Sequence, residues 1–324
     1  MPNPPFGFET TAEEVAATFA KQIEGKTILI TGVSPGGLGL YAAKTLAVHA
    51  PALLILAARS QSTLDEAAAE ISKISSCPVK KLLIDLSSIA KVRAAAEEVN
   101  AWKEVPRIDV LINNAGVMSL PWGKTVDGLE QHFATNHIGH FLFTNLIINK
   151  IIAAGGRIVS VSSGAHLYGP VRFDDYNFKG SNSLSYGQSK SANMLFAVSL
   201  AKKLESRGVV AFSLHPGIIF TNLTRYTSDD VLQAMGMLYP FLFLEHSTHS
   251  ATYRHERRMK TLSQGSATTL VAALDPLITP RSGSYLADCQ VDHNSPVMAY
   301  ALDQSNAEKL WRMSEDLVGQ MFEY

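Results

Sequence analysis

Six short apolar runs, each followed by a longer stretch of helical character, constrain the fold of this 324-residue chain more than any other feature. They are KTILITG at 26–32, ALLILAAR at 52–59, VKKLLID at 79–85, IDVLINN at 108–114, GRIVSVSS at 156–163 and GVVAFSLHP at 208–216. A strand that is apolar at nearly every position must be covered on both faces, which a parallel sheet with helices on each side provides. The pattern predicts a single-domain, doubly wound α/β fold (a Rossmann fold) with a parallel sheet of about seven strands. The segments at 62–75 and 87–101 are Ala-rich with helical spacing, and Ser87 and Ser88 offer a helix start after Asp85. Residues 10–23 read as one amphipathic helix, so 1–24 is an N-terminal helical extension on a domain spanning 25–324. Residues 303–322 read as a C-terminal helical tail.

Composition narrows the partners. Hydrophobic residues make up 46% and charged residues 18%, enough to bury a full core without disorder. Lys plus Arg (28) nearly balance Asp plus Glu (29), so no net field favours nucleic acid or an anionic membrane, and the expected partner is a small molecule. The two cysteines, Cys77 and Cys289, are far apart and read as unpaired thiols in a reducing compartment. No stretch approaches the roughly 20 apolar residues of a membrane span, and the N-terminus lacks a secretory pattern, so a cytoplasmic location is expected. The most apolar segment, Met235 to Leu244, is short and interrupted by Pro240.

Directly after the first run comes TGVSPGGLG at 31–39, then a helical stretch. Glycines there allow a tight turn and close backbone approach to a diphosphate, and the helix N-terminus supplies amide donors. Gly32, Ser34, Gly37, Leu38 and Gly39 are therefore the expected cofactor-binding residues of this loop. An NAD-binding sheet usually ends its second strand with a carboxylate for the ribose 2′-hydroxyl, whereas a 2′-phosphate calls for a cation. This chain has Ala58, Arg59 and Ser60 there, so NADP(H) is expected over NAD. Asp85, ending the third run, is placed to accept from the adenine amino group or to cap the next helix. In NNAG at 113–116, Asn114 and its small neighbours let the chain pass close to the adenosine ribose.

Tyr186 and Lys190 stand four apart in YGQSK at the head of a helical stretch, on one helical face. An ammonium beside a phenol favours the phenolate and brings proton exchange within reach. Ser163 ends the fifth run and can hydrogen-bond the same substrate oxygen, with Ser162 as its neighbouring competitor. His137, His140 and His215 complete no metal ligand set and read as structural, so no metal is expected.

Glycine loop, NNAG, serine-ended strand and YxxxK occur in the order of the short-chain dehydrogenase/reductase family, and the chain resembles that family over residues 25 to 222. The resemblance implies that Ser163 positions the substrate and that Tyr186 donates or accepts the proton. It implies that Lys190 lowers the tyrosine pKa and holds the nicotinamide ribose, while Asn136 holds a water in the proton relay. Pro216, Gly217, Ile219 and Thr221 match the family's segment facing the carboxamide. Two departures stand out. The glycine loop is one residue longer than T-G-x-x-x-G-x-G, and the gap from Ser163 to Tyr186 exceeds that of the commonest members. The longer gap, with AHLYG at 165–169, resembles the branch holding retinol dehydrogenases and WW-domain oxidoreductases.

The expected function is reduction of a carbonyl or oxidation of an alcohol on a rather apolar molecule, such as those of secondary metabolism. A lid over 222–255 would offer Leu232, Met235, Met237, Leu238, Tyr239, Phe241 and Phe243 as lining. A catalytically idle NADP-sensing scaffold, and an epimerase or dehydratase with a tightly held cofactor, are the alternatives. The family also implies pairing through the helices at about 125–150 and 183–206, giving dimers or tetramers, with the tail placed to block the tetramer contact; a homodimer is the expected partner.

Overall fold

The computed structural model describes residues 6–178, 184–225, 227, 258–291 and 293–324. The candidate lid-lining residues Leu232 to Phe243 lie outside the described residues. Seven parallel strands form one sheet in the order β3-β2-β1-β4-β5-β6-β7: β1 Thr27–Thr31, β2 Leu53–Ala58, β3 Val79–Leu83, β4 Val110–Asn113, β5 Arg157–Val161, β6 Val210–His215 and β7 Tyr285–Ala287. The first six are the apolar runs of the sequence. The seventh, three residues at the sheet edge, pairs its Tyr285 with Ser213 of β6 and is too short to leave a periodic signal.

Alternation along the buried strands divides the core in two. Leu29, Ile55, Leu111 and Ile158 face one layer, while Ile28, Ile30, Leu54 and Ile112 face the other. The second layer is closed by α1 (Ala12–Thr18), α2 (Ala20–Ile23), α3 (Leu38–Ala47), α4 (Gln61–Ser72) and the buried helix α10, Leu262–Leu274. The first is closed by α5 (Ile89–Ala101), α7 (Gly139–Leu146), α8 (Ile148–Ile152), α9 (Ser185–Lys203) and α11 (Gln304–Val318), with the short α6 (Gln131–Phe133) leading into α7.

The N-terminal segment is two helices rather than one. Thr11 and Glu14 form a capping box at the start of α1, and Phe19, with φ −106° and ψ 27°, breaks the helix before α2. Ser88, not Ser87, caps α5. The tail helix α11 starts on the Asp303 cap and stops at Gly319, whose φ of 67° ends it in the left-handed region. It lies against α7 and α9. Its Trp311 ring centroid is 5.0 Å from that of Phe141 and 6.1 Å from that of Phe196, while Ser199 donates to Ala307 O at 3.0 Å. The chain's own tail thus packs on the two helices expected to pair. Among the described residues, no helix is long and apolar enough to cross a membrane.

Candidate active site

The strand order reverses between β1 and β4, and in such sheets the ligand crevice opens beyond the carboxyl ends of the strands at that switch point. A cleft of about 370 Å³ lies there, lined by residues from the ends of β1 to β6. Of the residues expected from sequence, Gly32, Ser34, Gly37, Leu38, Arg59, Asp85, Asn114, Ser163, Tyr186, Lys190, Ile219 and Thr221 line it; Gly39 and Asn136 do not.

The glycine loop explains its own extra residue. Gly36 takes φ +70°, and the chain straightens at Gly37 to cap α3 from Leu38 onward. Gly37 has no side chain to cap with, so the first amides of α3 keep their donors for an anion. A Cβ on Gly32, whose φ is +77°, would lie 2.6 Å from Ala115 Cα, so the loop passes NNAG in backbone contact. Gly39 serves packing instead: a Cβ there would lie 2.5 Å from both Asn114 Nδ2 and Gly32 O. Thr31 Oγ1 accepts from the amides of Asn114 and Ala115, both at 3.0 Å, locking β1 to the β4 turn. The residues present fit a nicotinamide dinucleotide: the amides at the start of α3 would hold its diphosphate, and a Cβ at Gly32 or Gly37 would crowd the loop.

At the adenosine end, no carboxylate follows β2. Arg59, Ser60 and Thr63 line the cleft, and among the described residues no hydrogen bond or ion pair engages Arg59. Asp85 is less available than the sequence suggested. Its Oδ1 accepts from Ser87 N (3.1 Å) and Ser87 Oγ (2.6 Å), and its Oδ2 pairs with Lys91 at 3.1 Å. Despite partial burial, these donors hold its carboxyl below the usual carboxylate range.

At the other end the catalytic candidates converge. The two serines separate cleanly: Ser162 is buried with its hydroxyl donated to Lys190 O at 2.7 Å, whereas the Ser163 hydroxyl hydrogen-bonds Tyr186 and accepts from Ala165 N at 3.1 Å. Lys190 Nζ donates to Val161 O at 3.0 Å and sits 5.5 Å from the centroid of the Tyr186 ring. Burial pushes the Tyr186 phenol up to about 12, with the Ser163 hydrogen bond opposing it, and brings the Lys190 ammonium down to about 8. Burial therefore outweighs the lowering of the phenol expected from Lys190, and the group that opposes it is Ser163.

Asn136 lies in a π-helical turn, Ala134–Ile138, of the kind that often marks functional sites. Its side chain accepts from Val117 N at 2.8 Å and donates to Val117 O at 3.0 Å and Ser189 Oγ at 2.9 Å. A Cβ on Gly116 would lie 3.3 Å from its Oδ1 and 3.6 Å from Lys190 Nζ, so the amide and the ammonium face each other across that glycine. His137 and His140 are buried and His215 is half-buried, and desolvation pushes each down: His137 and His215 to about 3, His140 to about 4. His140 Nδ1 bonds Asn136 O at 3.1 Å, leaving Nε2 to accept from Thr31 Oγ1 at 2.9 Å; this joins the π turn to the glycine loop, a link invisible in sequence.

A family model described as short chain dehydrogenase matches residues 26–232. The chain belongs to this family of oxidoreductases. It is 38% identical over 308 residues to retinol dehydrogenase 12 of Mus musculus, covering 93% of this chain and 89% of the relative. It is 37% identical over 328 residues to the chloroplastic short-chain dehydrogenase TIC 32 A of Brassica napus, covering 97% and 94%. An uncharacterised protein from Mycobacterium paratuberculosis has a solved structure that superposes with a TM-score of 0.68 at 29% identity, over 93% of this chain and 96% of that one. These relatives place the chain in the retinol dehydrogenase-like branch.

Within this short-chain dehydrogenase, the segment after β6 lines the cleft along with Ser163, Tyr186 and Lys190. Gly217 has φ +97°, and a Cβ there would lie 2.6 Å from Cδ of Lys260, whose buried side chain pairs with Asp288 at 2.6 Å and has little room to yield. Gly217→Ala should cost about 1–3 kcal/mol from backbone strain, and more from the collision. A thermal melt equal to wild type would refute this account of the turn. Beyond it, Asn222 Nδ2 donates to Pro35 O at 3.0 Å, so the first residues of the expected lid already bridge to the glycine loop.

Proposed function

We propose that the protein is an NADP(H)-dependent oxidoreductase that interconverts a carbonyl and an alcohol on a small apolar molecule. The carrying observation is the convergence of Ser163, Tyr186 and Lys190 at one end of a cleft whose other end presents Arg59 and no carboxylate. NADPH, when bound, supplies the hydride. Ser163 and Tyr186 together hold the substrate oxygen, and Tyr186, protonated at neutral pH, gives its proton to that oxygen as charge develops there. Lys190 keeps a positive charge beside the phenol, and Asn136, facing its ammonium across Gly116, is the remaining member of the relay. Val117 and Met118 line the cleft, and Phe220, 59% exposed, stands between cleft-lining Ile219 and Thr221; this apolar surround favours an apolar substrate. Since α11 packs on α7 and α9, a homodimer of this chain would pair through another face.

The test is NADPH oxidation, followed by absorbance, against a panel of ketones and aldehydes that includes retinal, because relatives bear the retinol dehydrogenase name. NADH is run in parallel. Turnover with neither cofactor on any carbonyl would end the reading. Arg59→Ala should raise KM for NADPH about tenfold, the worth of one charge-assisted phosphate contact, and leave KM for NADH within about twofold. Equal effects on both cofactors would remove Arg59 from phosphate recognition.

A further inference from the structure

Tyr186 is the second residue of α9, and the helix start that carries it is poorly secured by its own cap. Leu184, the N-cap, has φ −123° and ψ −3° and offers no side-chain acceptor to the first turn. Among the described residues, a second element also holds the start of α9. His132, on α6, is buried, as are Glu130 and Ser185. His132 Nδ1 lies 2.7 Å from Glu130 Oε1 and 3.1 Å from Ser185 Oγ, and its Nε2 accepts from Leu120 N at 3.3 Å. With Nε2 an acceptor, the ring hydrogen is on Nδ1, between Glu130 and Ser185. Glu130 is fixed in turn, accepting from His132 N at 3.0 Å and Phe133 N at 2.8 Å, while its own amide donates to Asn177 Oδ1 at 2.8 Å. The His132 ring meets the Tyr186 ring edge-on, centroids 6.2 Å apart.

We propose that His132, oriented by Glu130, is a positioning residue that aims the Tyr186 hydroxyl by pinning the first turn of α9 to the loop after β4. One imidazole touches all three parts: the loop through Leu120, the helix through Ser185, and the ring of Tyr186 itself. The same loop carries Val117 and Met118 into the cleft, so the tyrosine and the cleft wall opposite it share a single brace. Asn136, four residues on, secures the loop at Val117 and the helix at Ser189, so the two braces act at successive points of the same seam. A phenol displaced by about 1 Å transfers its proton poorly while the cofactor still binds, because the Arg59 end of the cleft is untouched.

This inference deepens the carbonyl–alcohol reading and rests on it, so wild-type turnover is measured first. With active wild type, His132→Leu should lower kcat at least tenfold with KM for NADPH within threefold, and should shift the pH profile of kcat. His132→Asn, which keeps a donor near the Nδ1 position but loses the acceptor for Leu120 N, should recover part of the kcat lost in His132→Leu. Glu130→Gln should show the same kcat-against-KM split, and it carries the test if His132→Leu does not fold. Full kcat in Glu130→Gln or in His132→Leu, or a loss that His132→Asn fails to recover in part, overturns the proposal. If wild type turns over no carbonyl, that failure belongs to the reaction assignment. The positioning is then judged from a crystal structure of His132→Asn beside one of Glu130→Gln, both with NADPH: the Tyr186–Ser163 hydrogen bond should persist in the first and break in the second, and its survival in both overturns the proposal.

Discussion

Tyr186→Phe is expected to lower kcat for carbonyl reduction by about 10²–10⁴-fold, the usual worth of a positioned general acid. The dissociation constant for NADPH should change less than about tenfold, since one hydrogen bond at most is lost. Burial pushes the phenol up to about 12, so it is protonated, and able to give its proton, throughout the neutral range. Lys190 sets the other limit. Its ammonium, lowered to about 8 by burial, carries charge below that pH and loses it above, so reduction should be steady near neutrality and decline above pH 8. Oxidation of the alcohol, which must take a proton onto the tyrosine oxygen, should instead rise with pH. NADPH consumption with the carbonyl and NADPH formation from NADP+ with the alcohol, by wild type and Tyr186→Phe across pH 6 to 10, measure the two directions. A Phe variant that keeps more than about a tenth of wild-type kcat would remove Tyr186 from the chemistry.

The second large effect is on stability. His137 and His140 are buried, His215 is half-buried, and desolvation pushes all three below their ordinary value, so between that value and the folded ones the unfolded chain binds protons that the fold refuses. Stability is therefore full above about pH 6.5 and falls as pH drops. At pH 5 each histidine accounts for roughly 2 kcal/mol, about 6 kcal/mol for the three, against a typical total on the order of 5–15 kcal/mol. The three occupy different places: His137 bonds Ser314 Oγ of α11 at 2.9 Å, His140 joins Asn136 to Thr31, and His215 Nδ1 accepts from Gly164 N at 3.1 Å. Acid should thus loosen the tail, the glycine loop and the catalytic serine turn together. Urea unfolding at pH 7 and pH 5 checks this, and equal midpoints would refute it. Lys190 acts in a separate window: being depressed, it makes the fold gain stability as pH rises from about 8 toward its ordinary value of 10.5.

The first six strands were legible because a strand buried on both faces must be apolar at nearly every position, and no other local pressure writes that pattern. β7 was not, since three residues carry no period, and neither was α10, which is buried almost all round and lacks an amphipathic stripe. The site divides in the same way. Tyr186 and Lys190 are bound by helical spacing, and the glycine loop by its place between a strand and a helix, so both could be read directly. Ser162 and Ser163 are chemically identical neighbours, and only the pleat of β5 sends one to Lys190 O and the other to Tyr186.

Sequence by itself therefore determined six strands of the sheet, the glycine loop between β1 and α3, the absence of a carboxylate after β2, and the tyrosine–lysine spacing, because each depends on local spacing and composition. Tertiary structure alone decided which serine meets the phenol, that burial rather than Lys190 governs the tyrosine's pKa, and that the tail packs on the expected pairing helices. It also decided that His132, 53 positions before Ser185, braces with Glu130 the helix carrying Tyr186. These contacts join residues far apart along the chain, and desolvation depends on everything packed around a group, so neither leaves a local mark in the order of residues.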